Sequence, residues 1–279
     1  MDFLFPRPAL VSFLIFLTVI AGCSSTAPIQ GTHSPAFETA VPENIHTAEP
    51  DNAGQIVTSS PKEGITGQLS SVQSTNPVWL EAYRMFRNMK STEYIHPPYL
   101  VDDAAGVYKF DCLGFVDHVL INADPAGYRE IGRGANPSLE SYAAYFNRLD
   151  AKTPDSLGWT KVIRPADLEP GDICLWLKPV TLDTGHMWII AGTPSVNPKR
   201  TDEVLVRIFD SSSAHSDDSR TVSVYKTGLG SGILGMMVDG KGSPIGLYWD
   251  GGVSTSAGEK DTTIICGRLN RLDGMVLGK

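Results

Sequence analysis

Helical spacing dominates the first half of the chain and short apolar runs the second. That order predicts an α+β domain with N-terminal helices packed on a central antiparallel sheet. Three observations carry this. Trp79, Tyr83 and Phe86, and later Tyr142, Tyr145, Phe146 and Leu149, recur at helical spacing. From Trp159 onward the period falls to two or the runs become wholly apolar, as over residues 173–177. Turn residues such as Pro170-Gly171 separate these runs.

The chain has 279 residues, 42% hydrophobic and 19% charged, the balance of a soluble globular domain with additional segments. A formal net charge of -8, with no run of Lys or Arg, argues against nucleic acid as a partner, because phosphate binding needs clustered cations. Arg7 precedes an apolar run from Ala9 to Ile20, which is short for a membrane span and suited to a signal-peptide core. The run ends in Ile20-Ala21-Gly22-Cys23, followed by Ser24-Ser25, and resembles the lipobox of bacterial lipoproteins. That resemblance implies a lipoprotein signal peptide over 1–22 and a lipid on Cys23, which would hold the protein at a membrane of the bacterial cell envelope. In a Gram-negative cell this is the periplasmic side of the outer membrane. Residues 23–75, rich in Ser, Thr, Pro, Gly, Glu and Gln, cannot bury enough surface to offset chain entropy and read as a flexible tether. The folded domain is expected over 76–279.

Asn76-Pro77 is a common helix start, and the helix should run to about Lys90. Residues 91–109 read as irregular, since Pro97-Pro98 forbids helix. Residues 110–120 read as a helix with Asp111 as N-cap and Cys112 in its first turn; Phe115, Val116, Val119 and Leu120 form one apolar stripe. The stretch with Asp124-Pro125 and Gly127 breaks the pattern, and Asn136-Pro137-Ser138 starts another helix. Strands are expected from Trp159 and over 173–177, 185–192, 204–210, 221–225 and 262–269. Residues 228–252, glycine-rich, read as long loops with one short strand at 245–249.

Cys112 sits at the positive end of a helix dipole, where a thiolate is stabilised, and the thiolate is the nucleophile. With Cys23 lipidated, Cys112, Cys174 and Cys266 remain, an odd number in an oxidising compartment, so at least one thiol stays free. Cys174 and Cys266 lie in apolar strand-like runs and are buried thiols or a disulfide; Cys112 is the better candidate for the free thiol. No Cys/His cluster has metal-ligand spacing, and neither a metal nor another cofactor is expected. A nucleophilic cysteine needs a base, and the base an orienting group. His186 opens one apolar strand and Asp210 ends the next, and antiparallel pairing can bring those ends together. His186 can then take the Cys112 proton while Asp210 fixes the imidazole tautomer. His215, beyond a run of serines, competes with Asp210. His96 and His118 read as structural, and Trp159 and Trp188 as core.

At these residues the chain resembles the NlpC family of bacterial cell-wall cysteine peptidases. The family's Asp-Cys-Ser-Gly-Phe-Val motif matches Asp111-Cys112-Leu113-Gly114-Phe115-Val116, with Leu113 in place of Ser. Its Pro-Gly-Asp turn matches Pro170-Gly171-Asp172-Ile173, and its Gly-His strand matches Gly185-His186-Met187-Trp188-Ile189-Ile190 with Gly192. The family's third polar residue is usually His; here the position offers Asp210, with His215 close behind. A tyrosine upstream of the cysteine usually helps to bind the oxyanion, for which Tyr94 is preferred over Tyr99. The resemblance implies a papain-like fold and a thiol hydrolase acting on an amide bond of peptidoglycan stem peptides, commonly that between D-glutamate and a diamino acid. Two other readings stay open: acyl transfer or deacylation on a lipid or amide by the same fold, and a catalytically silent scaffold lipoprotein.

Overall fold

A computed structural model describes residues 69, 71–178, 185–256 and 258–270, all within one compact unit, Ile56–Lys279. The signal peptide expected over 1–22, Cys23 and nearly all of the tether lie outside the described residues. Leu69 is buried, and Val72 packs beside it against the helical core. Among the described residues no helix is long and apolar enough to cross a membrane.

Helix α1 (Pro77–Asn88) starts as its sequence dictates, with Pro at its first turn and the Asn76 side chain accepting the Val78 N–H at 2.9 Å. Three short strands follow: β1 (Ser91–Glu93), β2 (Leu100–Asp102) and β3 (Val107–Lys109), in the order β1-β3-β2. The sequence predicts no regular structure here, because strands of three residues are too short to show a period. Helix α2 (Cys112–Ala123) carries the candidate nucleophile. Residues 125–132, where the sequence predicts a break in the helical pattern, instead form helix α3 (Pro125–Gly132), with Pro125 in its first turn, where a missing N–H costs nothing. Helix α4 (Leu139–Arg148) is capped by Ser138.

The main sheet is built from β4 (Trp159–Val162), β5 (Ile173–Leu177), β6 (Gly185–Ile190), β7 (Ser195–Asn197), β8 (Arg200–Ser213), β9 (Thr227–Val238), β10 (Pro244–Tyr248), β11 (Gly258–Lys260) and β12 (Thr263–Leu269). Its order is β11-β10-β9-β8-β6-β5-β12-β4, with β7 added to β8, and every pairing is antiparallel. The domain is therefore α+β, with four helices described ahead of a large antiparallel sheet.

Two further segments differ from expectation. Residues 221–225 form turns, because the chain there folds back to deliver Arg220 to the interior. Residues 227–238, read as loop, form the long strand β9, whose glycines obscured its alternation. They have a steric reason: a Cβ at Gly230 would meet the Arg220 side chain, one at Gly232 those of Asp218 and His215, and one at Gly235 that of Glu203. The strand lacks side chains where buried polar groups need its backbone close.

Alternation sorts the sheet into two cores. Ile173, Leu175, Met187, Ile189, Phe209 and Ile265 face the helices. Cys174, Trp188, Ile190, Val206, Ile208 and Leu247 form a second cluster on the other face. Among the described residues no helix covers that second cluster. The sheet curls until β10 approaches β12, which is far from it in strand order, and encloses the cluster itself. Cys174 and Cys266 stand directly opposite each other on β5 and β12 and form a disulfide, leaving Cys112 as the free thiol among the described cysteines.

Candidate active site

Cys112 lies at the first turn of α2, and its cap is built from side chains around it. The Asp111 carboxylate accepts the Gly114 N–H at 2.8 Å, the Tyr99 hydroxyl at 2.8 Å, and lies 3.2 Å from His96 Nδ1. Helix α2 packs on β6 and β8. One bond sets the register between nucleophile and acid: Ser211 Oγ donates to the Phe110 carbonyl at 2.7 Å, tying the residue before Asp111 to the residue after Asp210.

His186 is the second residue of β6. The β6–β8 ladder consists of Ile190–Ile208 and Ile189–Phe209 and ends there, so the strands part towards Gly185. Across that gap His186 Nε2 meets Asp210 Oδ2 at 2.8 Å. The other ring nitrogen, Nδ1, is left for the Cys112 thiol, whose interaction with the imidazole raises the ring's pKa. Cys112, His186 and Asp210, separated by 74 and 24 positions, thus converge in the order read from the sequence. Burial pushes the His186 pKa down, but the Cys112 charge, the bond to Asp210 and the bond to Cys112 outweigh it and raise the value to about 10.

Asp210 is fully buried and heavily bonded. Besides His186 it meets His215 Nε2 at 3.0 Å, the Ser212 hydroxyl at 2.7 Å and Arg220 Nη2 at 2.8 Å. Burial alone would raise its pKa; Arg220, His215 and His186 hold it well below the usual carboxylate range. Asp210 rather than His215 touches the candidate base. His215 stands behind it, with Nδ1 3.0 Å from the Trp249 carbonyl and its ring stacked on the Trp249 indole.

Arg220 is the group that sequence reasoning missed. Its guanidinium is buried between Asp210 and Asp218, bonding Asp218 through Nε at 2.8 Å and Nη2 at 2.6 Å, and the Gly228 carbonyl through Nη1 at 2.9 Å. A buried arginine requires such partners. The run of small residues and Gly228, Gly230 and Gly232 nearby was the signal that a large side chain fills that space.

The two candidate tyrosines separate clearly. The Tyr99 hydroxyl is committed to Asp111 and its ring lies over Gly114. Tyr94 follows β1, its N–H bonded to Thr227 Oγ1 at 3.3 Å, and it lines the cleft beside His186. Its hydroxyl has no protein partner among the described residues. Burial, then the charges of Cys112, Asp111 and Asp210, push its pKa up to about 12, so it is a neutral donor at physiological pH. His118 pairs with Asp103 at 3.1 Å, away from the site, and Trp159 is buried with its indole N–H on Asp124. Trp188 is buried against the ring of His186.

Among the described residues one group has metal-ligand geometry: ligand atoms of His186, Asp210 and His215 lie within 4.8 Å of one another. Arg220 already supplies a positive charge to the same carboxylate at 2.8 Å, and both rings bond Asp210 directly. The donors satisfy each other as a hydrogen-bonded relay. No protein-family model, curated protein or solved structure matches the chain.

Proposed function

We propose that the protein is a papain-like cysteine hydrolase of the NlpC type, lipid-anchored through Cys23 in the bacterial cell envelope, that cuts an amide bond in peptidoglycan stem peptides. The single observation that carries the chemistry is His186 held between the free thiol of Cys112 and the anionic Asp210. In this reading the Cys112 sulfur attacks the amide carbon, and the carbonyl electrons move onto oxygen. The Cys112 N–H at the helix start and the Tyr94 hydroxyl receive that charge. His186 then gives its proton to the departing amine as the C–N bond breaks, leaving a thioester. Water, deprotonated by His186, hydrolyses the thioester and restores the thiol. A His186 pKa of about 10 keeps the ring protonated at neutral pH, so activity should fall as pH rises through about 10.

Support for the substrate is the motif order and the expected anchor, which suit an enzyme that reaches from a membrane to the wall. The test is mass spectrometry of sacculus digests with wild type and Cys112→Ala. New free amines that disappear in the variant support the reading. Acyl exchange without cleavage would point to a transferase or deacylase instead, and an inert Cys112 to a scaffold. Cys23→Ser should release the protein from membranes.

A further inference from the structure

The cleft beside His186 has a composition of its own. Its volume is about 470 Å³, and Tyr94, Trp176, Gly185, Thr227 and Trp249 line it together with His186. Ser212, Ser213 and His215 complete the lining, so among the described residues no Asp, Glu, Lys or Arg side chain lines it. A site for a carboxylate-bearing group would present an arginine or lysine. The arginine nearest in chemistry, Arg220, is buried and bonded to Asp210 and Asp218. Lys178, with its ammonium 5.8 Å from the Trp176 ring centroid, is not among the lining residues.

The aromatic wall is fixed in position. The Trp249 indole N–H lies 3.1 Å from Glu259, and its carbonyl faces His215 Nδ1 at 3.0 Å. Its ring stacks on His215 at 6.2 Å and meets Trp176 and His186 edge-on at 5.4 and 5.7 Å. A wall held from several directions needs little ordering when a ligand arrives. Gly185 is bare because a Cβ there would meet the Trp176 carbonyl and Leu139.

We infer that this cleft is a substrate subsite for an uncharged apolar or aromatic group beside the scissile bond, with Trp249 and Trp176 as its walls. The inference rests on the reading of Cys112 as the reactive thiol. It narrows that reading: the group held beside His186 is not the charged side chain of a diamino acid.

Affinity labelling of the full chain in native membranes tests it without needing a natural substrate. N-benzyl, N-carboxypropyl and N-aminopropyl iodoacetamides differ only in the tail that would enter the cleft, and mass spectrometry reads alkylation of Cys112. The benzyl reagent should label at least about tenfold faster than either charged reagent, with saturation, the scale of one buried aromatic contact. Trp249→Ala should reduce that ratio to within about twofold, and Trp249→Phe should retain part of it. If Trp249→Ala loses its near-ultraviolet circular dichroism, Trp176→Leu provides the same readout. Lys178→Ala should leave the ratio unchanged. A preference for the carboxylate or amine tail, or a ratio insensitive to both tryptophans in folded protein, would overturn the inference. Absence of muropeptide cleavage with the benzyl preference intact would instead sink the hydrolase reading and leave the subsite standing.

Discussion

Asp210 and Asp172 are both fully buried, belong to the same sheet region, and each faces an arginine, yet their environments do opposite things. Asp172, in the Pro170-Gly171-Asp172 turn, takes Arg268 Nε and Nη2 at 2.8 and 2.9 Å and the Glu169 N–H at 2.8 Å. Burial outweighs these bonds, and its pKa is raised. Asp210 pays the same desolvation but faces Arg220, His215 and His186, and its pKa is lowered well below the ordinary value. The difference is the number of cationic partners and how completely they are removed from water: the Arg268 side chain is 19% exposed, that of Arg220 only 1%. Asp172 is a staple. Its backbone bonds Ile190 of β6, and its carboxylate bonds Arg268 of β12, so it locks the strand that carries His186. Asp210 has the same kind of support plus one bond left for a ring in the cleft.

Asp117 extends the series. It lies on α2, five residues after Cys112, with the Tyr142 hydroxyl at 2.7 Å as its bonding partner. Burial raises its pKa, the Tyr142 bond opposes this, and the Asp111 charge adds to it, giving about 7. Three carboxylates thus rank by their cationic support: Asp210, Asp172, Asp117.

The largest expected effect breaks the first member. In Asp210→Asn the amide cannot serve both sides. If its oxygen faces Arg220, its NH₂ faces His186 Nε2, which must then accept, moving the ring proton to Nδ1, where it can no longer take the Cys112 proton. Turnover should fall by about 10³–10⁴-fold, the scale of a wrong tautomer in a catalytic triad. Steady-state muropeptide hydrolysis reads this, and a loss below tenfold would show that the amide is accommodated. In the proposed hydrolase, Arg220 would thus be the reason the site calls for an acid rather than an amide.

Arg220→Leu should come next, now in stability: it leaves Asp210 and Asp218 buried without their main cation, at a cost of about 3–5 kcal/mol by urea unfolding. Arg268→Leu should cost less, about 1–3 kcal/mol, because its carboxylate can protonate, and kcat should stay within about twofold. Equal losses in the two variants would erase the distinction between staple and catalytic support.

His215→Ala removes one of several donors to Asp210 and touches neither Cys112 nor a reacting atom, so turnover should fall less than about tenfold. If His215→Ala proves more damaging than Asp210→Asn in folded protein, the orienting role belongs to the histidine.

The smallest effect sharpens the third member. A carboxyl whose folded pKa is raised above its unfolded value costs stability as pH rises from about 4 to about 7. Asp117→Asn should therefore gain on wild type across that window and hold a constant advantage above it. Each 1 kcal/mol of that gain corresponds to roughly 2–4 °C in Tm. Parallel Tm curves from pH 4 to pH 8 would show that Asp117 ionises freely in the folded state.

Residue periodicity and capping alone determined α1, α2 and α4, most of the sheet strands, and the cysteine at a helix N-terminus; strand order placed His186 near Asp210 but left His215 competing with it. These are local matters: a cap, an apolar stripe and a strand end are written in consecutive residues. The tertiary structure decided the rest. It put Tyr94 in the cleft beside His186 and the Tyr99 hydroxyl on the Asp111 cap, and it paired Cys174 with Cys266 because β12 inserts beside β5. It also made β9 a strand, with glycines cut away to admit Arg220. The partners of a buried charge come from a turn that folds back and from strands distant in sequence. Their geometry depends on which backbone groups must approach one another, which no window of consecutive residues records.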